Sequence, residues 1–335
     1  MDNLTQIPAS FIEQNTNFPS LIYALRAAFS NKETMVPMRH HHDFPNPEVE
    51  EDSTLLLMPA WKPGKQAGVK IATVSPKNGQ FNLPAIQGTY IYLDALKGRV
   101  LGLLEAKSLT VKRTAAASAL ASQYLSRENS SSLLMIGTGA LAPNLIQAHA
   151  SIRPIETVYV WGRDYSKALS LSQKFKNASF QVQPIKAIKD KISDVDIISS
   201  ATLSKTPLVL GKYLQPGQHV DLVGAYKPNM READDETVKK AEVYVDTYQG
   251  GLKESGDIVI PLKSGILKEP DIKADLFELA SQNKGGRKSA EEITMFKSVG
   301  HALEDLAAAT YYYNMYQAVK TKQIQANTFV NKEHP

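Results

Sequence analysis

Apolar and polar positions divide the chain into three stretches. Up to about residue 112, short apolar runs at Thr54 to Met58, Ala67 to Val74 and Thr89 to Leu93 alternate with turn signals at Pro59, Pro63-Gly64, Asn78-Gly79 and Lys97-Gly98. Runs of this length between glycine and proline punctuation predict the strands of a sheet. A helix is predicted over Phe18 to Ser30, and a long alanine-rich helix from about Ser108 to Ser126 leads out of the stretch.

From residue 132 onward, strand-like and helical stretches alternate. Strands are predicted at 132–136, 157–161, 179–183, 195–199, 219–223 and 242–246, with helices notably at Pro143 to Ser151 and Tyr165 to Lys176. Such alternation predicts a doubly wound parallel sheet. The last stretch, Ser298 to about Lys322, sets Leu303, Leu306, Ala307 and Tyr311 at helical spacing. It is most simply returned to the first domain, which becomes discontinuous, and the tail Gln323 to Pro335 is expected to fray. No internal repeat or low-complexity region is present.

The most informative junction is Ser132-Leu133-Leu134-Met135-Ile136 running into Gly137-Thr138-Gly139-Ala140-Leu141-Ala142. A buried-type strand followed by G-x-G-x-x-A has the layout of a dinucleotide site. Gly137 permits the tight turn, Gly139 lets the backbone approach a pyrophosphate, and Ala142 lets helix and strand pack closely. A purely structural glycine turn is the alternative. The next strand, Thr157 to Trp161, ends in Gly162-Arg163-Asp164, where an NAD site usually carries an acid for the ribose 2′-hydroxyl. Arg163 suits a 2′-phosphate and favours NADP(H), while Asp164 keeps NADH in play.

Composition narrows the classes further. At 335 residues the chain predicts two domains, and 43% hydrophobic with 21% charged residues is the balance of a soluble globular protein. A net charge of +4, spread without a basic run, argues against nucleic acid. The absence of cysteine removes disulfides, thiolate metal sites and cysteine nucleophiles. Asp2 and Glu13 lie in an N-terminus without a basic-then-apolar signal, and no apolar stretch spans a bilayer, so a cytoplasmic enzyme without a membrane partner is the simplest expectation.

Three cations sit in apolar or turn-rich surroundings: Arg39, Lys70 and Arg113. Gathered in one cleft they would suit a small carboxylic acid, because a forked guanidinium meets a carboxylate through two parallel bonds. Spacing alone does not gather them, and a solvated or salt-bridged charge is the commoner use of such residues. His40-His41-His42 reads as a polar loop and not as a metal site, since adjacent side chains alternate and no second ligand group accompanies them. Lys227, Arg231 and Glu232 follow a strand end where loops face the crevice of an open sheet, and Tyr226 there could touch a ligand or pack. Gly285-Gly286-Arg287 reads as a flexible loop.

An ordered series of motifs then resembles the ornithine cyclodeaminase/mu-crystallin family from about Pro37 to Ala309. It comprises Met58-Pro59-Ala60, Gly68-Val69-Lys70, Leu83-Pro84, Lys112-Arg113-Thr114-Ala115-Ala116, Ile136-Gly137-Thr138-Gly139, Asp221-Leu222-Val223-Gly224, Gly256-Asp257 and Thr294-Met295-Phe296-Lys297-Ser298-Val299-Gly300. The resemblance implies an α/β fold. A Rossmann-type doubly wound parallel sheet at 113–297 would bind the coenzyme, beside a discontinuous α+β substrate-binding and dimerisation domain at 1–112 and 298–335. It places Arg39, Lys70 and Arg113 on the substrate carboxylate, with Lys70 as the catalytic candidate. Thr114, Gly137, Thr138, Gly139, Ala140, Leu141, Trp161, Arg163, Ala201, Thr202, Val223, Gly224, Tyr226, Val299 and Gly300 would face the coenzyme, the 296–300 segment closing the nicotinamide side. A homodimer and no metal are implied.

Departures sharpen the expectation. Ornithine cyclodeaminases carry an Asp where this chain has Tyr226 and a Glu where it has Leu56, so the carboxylates for a second amine and for activating water are missing. Leu141-Ala142-Pro143, Ala148-His149-Ala150, Arg153-Pro154-Ile155 and Trp161-Gly162-Arg163 are most similar to the Δ1-pyrroline-2-carboxylate reductase branch. The expected activity is NAD(P)H-dependent reduction of a cyclic imino acid, five- or six-membered. A mu-crystallin-like binding protein and an alanine-type amino-acid dehydrogenase are the alternatives.

Overall fold

The computed structural model describes residues 4–330, and it separates into two compact units. The first comprises residues up to 16, 33–110 and 302 onward; the second comprises 17–32 and 111–301. Among the described residues no helix is long and apolar enough to cross a membrane.

The first unit is built on a six-stranded sheet. Its strands are β1 (Thr5–Ile7), β2 (His40–Phe44), β3 (Ser53–Lys62), β4 (Gln66–Val74), β5 (Ile86–Asp94) and β6 (Arg99–Glu105), in the order β1-β6-β5-β4-β3-β2. All neighbours are antiparallel except β1, which pairs parallel with β6. Side chains opposite one another share a face, and one row across the sheet reads Ile7, Leu104, Tyr90, Lys70 and Met58, all buried. The helix Ala302–Val330 packs on β3, β4 and β5. Thr16 Oγ1 to Tyr312 Oη (2.7 Å) and Gln317 Nε2 to Thr5 Oγ1 (3.0 Å) tie this helix to the N-terminal segment. Burying several such apolar side chains contributes roughly 1.5–3 kcal/mol each.

The second unit carries eight parallel strands: β7 (Ser132–Ile136), β8 (Thr157–Trp161), β9 (Gln181–Pro184), β10 (Ile197–Ser200), β11 (His219–Leu222), β12 (Ala241–Val245), β13 (Ile272–Asp275) and β14 (Ile293–Lys297). They run in the order β13-β12-β14-β11-β10-β7-β8-β9. Leu133 to Ile136 are fully buried, as expected for a strand covered on both faces. The connections leave β7 and β10 in opposite directions, so the crevice beyond their carboxyl ends is the topological switch point. This is a doubly wound α/β fold.

Several expectations need correction. The helix Phe18–Ser30 clusters with the second unit, not the first: Phe29 meets Phe277 edge-on at 5.0 Å, and Arg26 donates to Gln123. His40–Phe44 is an exposed edge strand and not a loop, because its backbone pairs with β3 from His40 opposite Leu57 to Phe44 opposite Ser53. Residues 293–297 form an interior strand. The last helix begins at Ala302 after Gly300, whose φ of +83° interrupts the path, and it continues past Gln323 to Val330 without fraying there. Residues 331–335 lie outside the described residues. Gly286 is pressed against the Tyr124 backbone, while Arg287 donates to the carbonyls of Leu125, Gln218 and Glu292, so that loop is anchored.

His219, fully buried at the start of β11, makes the fold sensitive to acid. The Thr294 hydroxyl donates to Leu125 O (2.8 Å), which leaves its oxygen to accept from His219 Nδ1 at 2.9 Å. Nε2 then has no partner, and burial holds the imidazole down at about 3, although Asp221 opposes the shift. The folded pKa lies below the ordinary value of 6.5, so the associated stability is complete above pH 6.5 and disappears as pH falls towards 3. Linkage puts the loss on the order of 4 kcal/mol. His219→Asn should flatten the fall in melting temperature between pH 6.5 and 4; an unchanged slope would place the acid sensitivity elsewhere.

Candidate active site

The turn after β7 is shaped by two glycines with different reasons. Gly137 has φ +121°, and a methyl group on it would stand 2.7 Å from Ala201 O; its N–H donates to Trp161 O at 2.9 Å. Only glycine fits that bend without strain. A methyl on Gly139 would meet nothing within 4 Å, so the backbone is open on that side. The helix Ala142–Ala150 follows with Pro143 in its first turn and no side-chain cap at Leu141; Ala142 N donates to Gly139 O (3.1 Å) and Asn144 N to Leu141 O (3.0 Å), so an anion here would meet the turn before the helix and the positive end of its dipole.

These features open onto a cleft of about 550 Å³ lined by Gly137, Thr138, Gly139, Trp161, Arg163, Ala201 and Thr202 among the expected residues. Lys167 and Lys205 also line it and were not anticipated, since neither belongs to a motif. Asp164 caps the helix Tyr165–Gln173: Oδ1 accepts from the Ser166 hydroxyl (2.6 Å) and N–H (2.9 Å), and these bonds hold its carboxyl below the ordinary range. That oxygen is committed to the helix, leaving three cations and one engaged acid around the rim. The donor set, the glycine cradle and the volume fit a dinucleotide phosphate.

Neighbouring loops are held by buried acids. Glu232 Oε1 accepts from Ser200 Oγ (2.6 Å), Thr202 N (2.7 Å) and Thr202 Oγ1 (2.8 Å), and Oε2 accepts from Gly224 N (2.6 Å) and Ala225 N (3.1 Å). Burial pushes this carboxyl up against the opposing effect of Lys297, whose Nζ lies 4.0 Å from Glu232 and 3.1 Å from Asp257. Asp257 in turn accepts from the N–H groups of Glu232 (2.7 Å) and Ala233 (3.1 Å). Thus Ala201, Thr202, Val223 and Gly224 are fixed together although Val223 and Gly224 do not line the cleft; Gly224 backs so tightly on Thr202 that no side chain would fit.

Asp246 does the same for the loop after β14. Its Oδ2 accepts from Val299 N (2.6 Å) and Gly300 N (2.7 Å), and Oδ1 accepts from Thr247 N (2.7 Å). Arg113 lies against this loop: a methyl on Gly300 would come within 2.6 Å of its Nη1. Arg113 and Thr114 are buried on the helix Ala106–Leu125. Ala140 is exposed beyond the cleft lining, and Tyr226 is half-buried with the Lys227 ammonium 5.8 Å from its ring centre.

In the first unit, Lys70 is 5% exposed, with Nζ 2.8 Å from Asp305 Oδ2 and 3.4 Å from Thr110 Oγ1. Arg39 is half-buried and immediately precedes the register that sets His40 against Leu57, next in line to Met58 and Lys70. Leu56 shares the Lys70 face one pair further along, opposite Ala72. Asp305 and Asp246 were missed as site residues, and Glu232 was noted only for its place after a strand end, because an acid's partners in space leave no mark in its neighbouring sequence.

Comparison with known proteins gives the chain a family. The model of the ornithine cyclodeaminase/mu-crystallin family matches residues 6–320. A Bacillus cereus Δ1-pyrroline-2-carboxylate reductase is 39% identical over 292 residues, 85% of this chain and 87% of that protein. The structure of Thermococcus litoralis Δ1-pyrroline-2-carboxylate reductase in complex with NADH and L-proline matches with a TM-score of 0.87 at 31% identity, over 93% of this chain and 97% of that one. An archaeal alanine dehydrogenase dimer with bound NAD gives a TM-score of 0.87 at 26% identity, over 95% and 97%. On its sequence and its fold alike, the chain belongs to the ornithine cyclodeaminase/mu-crystallin family.

Proposed function

We propose that this chain, an NAD(P)H-dependent oxidoreductase acting on a C=N bond, reduces Δ1-pyrroline-2-carboxylate to L-proline and accepts Δ1-piperideine-2-carboxylate as a second substrate giving L-pipecolate. The observation that carries the reading is the burial of Lys70 and Arg113, 5% and 4% exposed. Lys70 keeps Asp305 as its partner at 2.8 Å, and a planar carboxylate would be a further anion for this buried cationic pair, held by paired N–H bonds from the guanidinium. The relatives named as this reductase and the neighbour holding NADH and L-proline support the same chemistry.

Reduction adds a hydride to C2 of the imine and a proton to its nitrogen. A bound nicotinamide supplies the hydride. In our assignment Arg39 and Arg113 grip the carboxylate through paired N–H bonds and Lys70 adds a third cation, so the planar acid is held in one orientation. Lys70 also delivers the proton to the ring nitrogen and is recharged from solvent. Leu56 and Tyr226 offer no carboxylate to activate water, which argues against cyclodeamination. For the coenzyme we assign NADPH, with Arg163 on the 2′-phosphate, since the Asp164 Oδ1 that could accept from a ribose hydroxyl caps a helix instead.

We further assign a homodimer formed through the sheet face opposite the Lys70 row. Leu57, Val69, Ile71, Ile91 and Leu103 lie together there as half-buried apolar side chains, the kind of face that a second copy would cover. Light scattering should then give twice the 36.8 kDa chain mass; a monomer at micromolar concentration would contradict the assignment.

Following NADPH absorbance with the two cyclic imines, pyruvate plus ammonia, and ornithine tests the activity directly. The cyclic imines should give the highest kcat/KM, and a preference for pyruvate plus ammonia or for ornithine would refute the reading. In the same assay Arg113→Ala should lose on the order of 10²-fold or more in kcat/KM by leaving the carboxylate underpaired; near-normal turnover removes it from the clamp. Arg163→Ala should raise KM for NADPH about tenfold while sparing NADH. Equal losses for both coenzymes would exclude the 2′-phosphate role.

A further inference from the structure

A lysine in the middle of a buried sheet row needs an explanation beyond substrate binding. Lys70 is flanked in register by Met58 on β3 and Tyr90 on β5, and the row continues through Leu104 to Ile7. In such surroundings desolvation favours the neutral amine. The uncharged amine would neither attract a carboxylate nor carry a proton.

The elements packed around Lys70 differ in what they offer. β3 presents the thioether of Met58, and the helix Ala106–Leu125 presents the Thr110 hydroxyl at 3.4 Å. β5 presents the Tyr90 phenol, which is fully buried, has no hydrogen-bond partner and is pushed well above its usual range by burial and by the Asp305 charge. It therefore stays neutral and provides no counter-charge. Arg39, the residue just before β2, is another cation. The helix Ala302–Val330 presents Asp305, fully buried, with Oδ2 2.8 Å from Lys70 Nζ; Glu304 is the buried acid beside it. Both acids stand in the first helical turn, where the unpaired backbone N–H groups favour negative charge.

We infer that Asp305 is the positioning residue for Lys70: its carboxylate aims the ammonium and keeps it in the charged, proton-bearing form. The inference rests on the role assigned to Lys70 in the proposed reduction. Asp305 itself need not touch substrate. It stays ionised while Lys70 gives its proton to the imine nitrogen and is recharged from solvent, so it favours recharging after each turnover.

The test compares wild type with Asp305→Asn and Asp305→Glu, using lysines labelled with ¹³C at Cε and the Lys70 resonance identified by its loss in Lys70→Arg. In the wild type Lys70 should remain an ammonium up to about pH 9; a Lys70 already neutral at pH 7.5 would overturn the inference without any Asp305 variant being folded. Asp305→Asn should lower the Lys70 midpoint by about one unit or more, and the alkaline limb of kcat/KM for pyrroline-2-carboxylate should move with it. Asp305→Glu should restore the limb while lowering kcat. A rate lost equally at every pH, with the Lys70 midpoint unmoved, would reduce Asp305 to packing and overturn the inference. If instead the midpoint moves but Lys70→Ala reduces the imine at the wild-type rate, the ion pair stands and the catalytic assignment of Lys70 is what fails.

Discussion

Backbone N–H groups at the carboxyl end of a parallel sheet have no partner within it, and how they are satisfied decides where this protein can bind an anion. The loops after β10, β11, β12 and β14 hand theirs to buried carboxylates: Glu232 takes Thr202, Gly224 and Ala225, while Asp246 takes Thr247, Val299 and Gly300. Among the described residues no acid does this for the loop after β7, and its helix starts without a side-chain cap. One turn is thereby left for phosphate while its neighbours are made rigid around it.

The same logic accounts for charges in the dry interior. Lys297 stands fully buried between Glu232 and Asp257, and Lys70 is held by Asp305. Replacing either group by apolar residues could keep the fold at little cost, whereas removing one partner would strand the other. Their location is what gives them meaning. The first pair supports the loops around the coenzyme cleft, and the second sits on the sheet face where Arg39 begins and where Leu56 stands in place of an acid.

Local physics made much of this visible beforehand. The strand Ser132–Ile136, the turn at Gly137 and the helix Phe18–Ser30 depend on apolar runs, on a glycine that its surroundings require, and on helical spacing within a few residues. β14 escaped because it enters the sheet between β11 and β12, out of chain order, so that Thr294-Met295-Phe296 looks like an approach to a helix. β1 is three residues long and exists through pairing with β6, nearly a hundred residues away. The edge strand His40–Phe44 is polar and exposed, which hides it from any apolar pattern. The cations Arg39, Lys70 and Arg113 stood out by residue type, but their burial did not. Asp305, paired across 235 positions of sequence, carried no local signal at all.

The account turns on whether hydride from a coenzyme bound at the Gly137 turn reaches the carbon next to a carboxylate in a cyclic imine. Supplying NADPH deuterated at nicotinamide C4 on the transferred face together with Δ1-pyrroline-2-carboxylate, and analysing the product by chiral chromatography and mass spectrometry, observes that transfer itself. The account predicts L-proline carrying one deuterium at Cα. Coenzyme that binds tightly while the imine is recovered unreduced and unlabelled would contradict it.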